Sequence, residues 1–248
     1  MILADRLEYF SISTDQAADV KQKLDAFEKS KLTLEDINEK AGIEGNRELV
    51  GFYFAHTNEI TTLAKLPIGR SMAGFNMFSE AEMLGKQFVN VYSNDWRGWR
   101  LLGAVFDSLN RPDESIQAYS KAVKFGNREE EYEALAAIAI KYNRLDVIHG
   151  VISQLMFFKN AKQTPNENKL HLMSILLVYS MKTDQKSIFT DTLAGENMND
   201  ILQDSTIKYD VTNGCEYFEG GDIDKIRQQV KAAASDSNSA STNAPMPR

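Results

Sequence analysis

The chain has 248 residues, enough for one extended helical array or two small domains. Hydrophobic residues make up 43% and charged residues 25%, the ordinary balance of a globular protein. A net charge of -7 opposes general binding to nucleic acid or anionic membranes, and the single cysteine, Cys215, excludes an internal disulfide and a thiolate metal set.

At the start, Met1-Ile2-Leu3 is interrupted by Asp5, Arg6 and Glu8, so no secretory apolar core is expected and the chain reads as cytoplasmic. A helix is predicted from Asp15 to Ser30, with Ser13, Thr14 or Asp15 as cap and Ala18, Val20, Leu24 and Phe27 as its apolar stripe. A second starts at Thr33, whose spacing to Asp36 resembles a capping box, and stops at Gly42. A third is predicted from Arg47 to Leu63, carrying Leu49, Val50, Phe52, Tyr53, Phe54, Ile60 and Leu63.

The stretch from Asn94 to Gly126 organises the rest. Trp99, Leu102, Val105, Phe106 and Leu109 recur at helical steps from Trp96 to Leu109. Ile116, Tyr119, Ala122 and Val123 share a face from Asp113 to Phe125. Asn110-Arg111-Pro112-Asp113 breaks the two, since proline fits only the first turn of a helix. Gly103 leaves room for a close neighbour, and Trp99 is expected in the core between adjacent hairpins.

This unit resembles a tetratricopeptide repeat, through Trp99, Leu102-Gly103, Phe106, Ser115 (where alanine is usual), Tyr119 and Ala122; Asn127 stands where proline is common. Gly69 lies 34 residues before Gly103 and Ala81 lies 34 before Ser115, so an earlier, degenerate repeat is expected, with Ser79 to Tyr92 as its second helix. Asn143-Arg144-Leu145-Asp146 echoes the break at Asn110 after 33 residues, which pairs a helix from Glu130 to Tyr142 with one from Leu145 to Phe158. Beyond the break at 163–167 come an apolar helix from Leu170 to Met181, too short to span a bilayer, and a helix from Ser187 to Leu193. A further pair is predicted between Asn199 and Ala234, and the polar stretch 235–248 is expected to be disordered.

The resemblance implies an all-α fold, a right-handed α-solenoid of hairpins over residues 62–234, preceded by an N-terminal helical region over 1–61. It further implies a non-enzymatic adaptor, chaperone or assembly factor that holds a protein or peptide in a concave groove lined by the first helix of each pair. The groove positions are Arg97, Arg100, Ala104, Asp107 and Ser108 in one unit and Glu130, Glu133, Ala137, Ile140 and Lys141 in the next. Arg97 and Arg100 would grip a carboxylate, with pairing to Asp95 or Asp107 as the structural competitor.

A second resemblance lies in Leu32 to Ile43 followed by Phe52-Tyr53-Phe54, which is similar to the helix-turn-helix of tetracycline-repressor-type regulators. It implies DNA binding near 33–54, with Ala41-Gly42-Ile43 as the turn. Asn38 replaces the usual alanine, the spacing to the aromatics is longer, and Glu44 and Glu48 accompany Arg47, so attraction to phosphate is poor.

No catalytic constellation emerges. His56, His149 and His171 are scattered without metal-ligand spacing, and no nucleophile elbow is present. Glu129-Glu130-Glu131 and Glu133 are read as helix-start carboxylates facing the helix dipole, and no cofactor or metal is expected.

Overall fold

The computed structural model describes residues 8–29, 47–162 and 167–194. The predicted helix from Thr33 to Gly42, the turn at Ala41-Gly42-Ile43, the pair between Asn199 and Ala234, Cys215 and the tail over 235–248 lie outside the described residues. The described helices are α1 (Thr14–Glu28), α2 (Arg47–Ala55), α3 (Lys65–Gly74), α4 (Phe78–Val91), α5 (Trp96–Ser108), α6 (Pro112–Gly126), α7 (Glu129–Lys141), α8 (Leu145–Ala161), α9 (Glu167–Thr183) and α10 (Lys186–Leu193), with a 3-10 turn at Thr57–Glu59. The fold is all-α; no strand occurs among the described residues. No helix among them is long and apolar enough to cross a membrane.

Ser13 starts α1 through a full capping box, its hydroxyl accepting from the Gln16 amide at 3.2 Å while the Gln16 side chain accepts from the Ser13 amide at 2.8 Å. Val20, Leu24 and Phe27 are buried as expected, but Ala18 is exposed and Ala17 packs on the core in its place. The predicted helix to Leu63 ends early, at Ala55. Thr57 turns its hydroxyl back to the Tyr53 carbonyl at 2.9 Å, and Thr57–Glu59 closes as a single 3-10 turn. Such local side-chain bonds offer the backbone an alternative to continuing the helix. Ile60 and Leu63 still pack on the core, from the connection rather than from a helix.

One stop signal recurs along the chain. Asn76, Asn110, Asn143 and Asp184 have φ of 59°, 55°, 55° and 52°, the left-handed region. After each, the next amide reaches back five residues: Met77 to the Met72 carbonyl (2.9 Å), Arg111 to Phe106 (2.9 Å), Arg144 to Ala139 (2.7 Å) and Gln185 to Ser180 (2.9 Å). This closure satisfies carbonyls orphaned at a helix C-terminus, and short polar Asn and Asp enter the left-handed region at least cost after glycine. The break after α5 is therefore made by Asn110, while Pro112 begins α6. Asn127, at φ 48°, ends α6 in the same conformation where the resemblance would place proline.

The described chain forms two compact units dividing after Asn127. In the first unit α3 packs on α4 and α5, α4 on α5, and α5 on α6. A Cβ at Gly103 would stand 2.7 Å from the Tyr119 ring, so α5 needs glycine where that ring presses on it; a Cβ at Gly69 would crowd only the Leu101 Cδ2 methyl, at 2.9 Å, which can swing aside. One continuous core runs from Phe10, Val20 and Phe27 through Leu49 and Phe52 to Leu84, Leu102 and Ala118. The expected boundary between residues 61 and 62 falls inside it. In the second unit α7 packs on α8 and α9, and α9 on α8 and α10, around Ala136, Ile148, Leu155 and Leu176.

Candidate functional site

Asp95 caps α5 by accepting from the Arg97 amide at 3.0 Å. The same carboxylate holds the Arg97 guanidinium, with Nε donating to Oδ1 at 2.9 Å and Nη2 to Oδ2 at 2.5 Å. The guanidinium also lies 5.8 Å from the centre of the Phe27 ring. The structural competitor named for Arg97 is thus the one observed: its charge is tied to Asp95.

Around this cap lies an open depression of about 590 Å³, lined by Val91, Tyr92, Ser93, Asn94, Asp95, Trp96 and Arg97. Val91 is 63% exposed and Tyr92 39%, two large side chains left to solvent at the end of α4. The floor is braced. Trp99 Nε1 donates to the Ser93 carbonyl at 2.7 Å, and a Cβ on Gly98 would stand 2.5 Å from the Phe88 ring, which itself leans on Tyr92. Trp99 is half-buried rather than a full core residue, because its ring edge serves this loop and its face carries Lys121 Nζ at 3.9 Å.

The remaining predicted residues of the first unit follow along α5: Arg100 and Asp107 are half-buried, and Ala104 and Ser108 are exposed, with Ser108 Oγ donating to the Ala104 carbonyl at 3.0 Å. In the second unit Glu130, Glu133, Ala137 and Lys141 all stand on α7. Glu130 pairs with Arg128 at 3.3 Å, Ala137 is exposed, and Lys141 Nζ lies 5.3 Å from the centre of the Tyr142 ring. Ile140, expected at the groove, is buried in the core. Glu133 also departs from a groove position: its Oε1 is buried without a hydrogen-bond partner, and burial, then the Glu129 charge, push its carboxyl up to about 7.

The histidines serve local contacts. His56 bonds Glu59 at 3.0 Å and stacks on Phe52, and His149 meets the Tyr179 hydroxyl at 3.0 Å. Among the described residues no group of three or more His, Cys, Asp or Glu side chains could hold a metal ion. Arg47, the cation of the DNA-binding reading, donates to the Tyr9 carbonyl at 2.6 Å and the Ser11 carbonyl at 3.1 Å, while Leu49, Val50 and Phe52 of the same helix are buried.

Sequence reasoning missed Val91 and Tyr92 as surface features. Both continue the apolar stripe of Leu84 and Phe88, and only the chain's departure after Val91 leaves them outside the core. No family model matches the chain, and no curated protein or solved structure matches it either.

Proposed function

We propose that the chain is a tetratricopeptide-like helical-repeat protein that holds a protein or peptide partner and catalyses no reaction. The observation that carries this reading is recurrence within the first unit. Helix α3 has Gly69 at its centre, Asn76 at its stop and Ala81 facing it from α4. Helix α5 repeats the arrangement, 34 residues later, with Gly103, Asn110 and Ser115. First helices α3 and α5 touch each other as well as their partners, the adjacency that successive hairpins adopt in a right-handed α-solenoid. A cytoplasmic setting belongs to the same proposal.

The partner site proposed within this unit is the depression at the start of α5, continued along that helix by Arg100, Ala104 and Asp107. Val91 and Tyr92 offer apolar area to desolvate, the kind of surface that dominates binding energy, while the α5 charges fix orientation. Selection of a displayed peptide library against the intact chain tests this, followed by titration of an enriched peptide. The expected result is a peptide whose affinity falls at least about tenfold with Val91→Asp or Arg100→Glu at unchanged melting temperature. No enrichment, or equal binding by both variants, overturns the proposal.

A further inference from the structure

Within the second unit, the first two turns of α7 carry more acid than a solvated helix start requires. Glu131 is fully buried. Glu129 and Glu133, four residues apart on one face, each hold one carboxyl oxygen that is buried without a hydrogen-bond partner. Glu129 has an ally: Lys162, just past the end of α8, reaches its other oxygen at 3.1 Å. Glu133 is left with Glu129 and Glu130 beside it on α7, with His171 facing it from α9 and Lys162 already engaged. Lys159, the other basic residue of the α8 end, reaches the Ala194 carbonyl after α10 at 3.5 Å.

We propose that Glu133 is a proton-operated latch: protonated, it lets the start of α7 close on α8 and α9, and ionised, it loosens that closure. A neutral carboxyl can remain beside the Glu129–Lys162 pair without a counter-charge. A carboxylate there meets the Glu129 charge and has an oxygen buried from solvent with no hydrogen-bond partner in the protein, so ionisation favours admitting water or moving the helix start outward. The surroundings set the pH at which this happens. Burial comes first and Glu129 second in raising the carboxyl to about 7, whereas His171 in its charged form and Lys162 lower it. The sign follows from proton uptake on folding. The group's folded value exceeds its unfolded value of 4.5, so stability from this source is fully present below about 4.5, declines as pH rises and is gone above about 7. This is the reverse of an ordinary salt-bridged carboxylate.

Hydrogen exchange of the intact chain, corrected for the intrinsic pH dependence of amide exchange, reads the latch directly. Protection at the start of α7 is expected to fall severalfold as pH is raised from about 4.5 to about 7 and to level off above that, while α5 and α6 hold theirs. Glu133→Gln keeps the shape without the proton and is expected to flatten the profile. Glu129→Gln removes the like charge and releases Lys162 to pair with Glu133, so the transition is expected to move to lower pH. A flat wild-type profile, a Glu133→Gln profile as steep as wild type, or an unmoved transition in Glu129→Gln would each overturn the latch. If Glu133→Gln does not fold, the direction of the Glu129→Gln shift decides alone.

Discussion

The Ser115 hydroxyl donates to the Gly103 carbonyl at 2.9 Å, bridging α5 and α6 where both residues are buried. The proposed resemblance to a tetratricopeptide repeat would put alanine here; this chain has a hydroxyl in a small space and binds it to the facing helix. Ser115→Ala should therefore cost about 1 kcal/mol, the usual net worth of such a bond. Gly103→Leu should cost more, about 1–3 kcal/mol or above, because even a Cβ would stand 2.7 Å from the Tyr119 ring. Trp96 and Trp99 are the two tryptophans of the chain and both lie in the first unit, so urea unfolding followed by their fluorescence reports that unit alone. Equal midpoints for wild type and Gly103→Leu would mean that the α5–α6 contact is not as tight as described.

Asn110 gives a second prediction, about the backbone rather than a contact. At φ 55° a side chain with a Cβ is strained, by roughly 1–2 kcal/mol for an ordinary residue. Asn110→Ala should lower stability by about 1 kcal/mol, and Asn110→Gly should hold or raise it. The same fluorescence-detected unfolding checks both. Alanine and glycine variants of identical stability would show that the left-handed turn is not what stops α5.

The hairpins were legible because two signals agree on nearly one period. The small pairs Gly69/Ala81 and Gly103/Ser115 repeat at 34 residues, and the break at Asn110 returns at Asn143 after 33; the matching stop at Asn76 emerged only from the backbone. Boundaries set by weak local bonds were not legible: nothing in the apolar pattern of Arg47 to Leu63 announces that Thr57 will bond Tyr53 and end the helix. The candidate site was legible in part. The Asp95–Arg97 pair could be anticipated from spacing, because a cap residue and a cation two positions on are close whatever the packing. Glu133 could not. A glutamate is read as solvent-facing because burying its charge is costly, and the inward turn depends on α8 and α9, whose placement no local pattern encodes. Ile140 was misplaced for the complementary reason: a helix wheel alone does not say which of two apolar faces is covered.

Trp99 supplies a third prediction. A tryptophan fully inside a core costs about 3–5 kcal/mol when truncated to alanine. Here the ring is half-buried, with Lys121 over its face and Ser93 at its edge, so Trp99→Ala should cost about 2 kcal/mol in the same way, by loss of roughly half the buried area. Trp96 remains as the fluorescent probe. Trp99→Phe should recover the packing but not the bond to Ser93, and should fall between the two. A loss above 4 kcal/mol for Trp99→Ala would place the ring in the core after all.

Arg47 separates the two function classes that the sequence raised. Its guanidinium bonds the Tyr9 and Ser11 carbonyls and lies 5.4 Å from the centre of the Tyr9 ring, so it fastens the segment before α1 onto α2. Hydrogen bonds from a charged donor are worth about 1.5–3 kcal/mol when buried and less when exposed, as these are. Arg47→Ala should accordingly lower the stability of the first unit by about 1 kcal/mol, and Arg47→Lys should not restore it, because an ammonium cannot reach both carbonyls in a fork. For the interaction reading, the wild-type protein retains no DNA at physiological salt and the substitution changes nothing there. A DNA-binding helix would behave in the opposite way: filter retention of duplex DNA by the wild type, falling with added salt and lost with Arg47→Ala at unchanged stability. That outcome would replace the partner-binding proposal with the regulator.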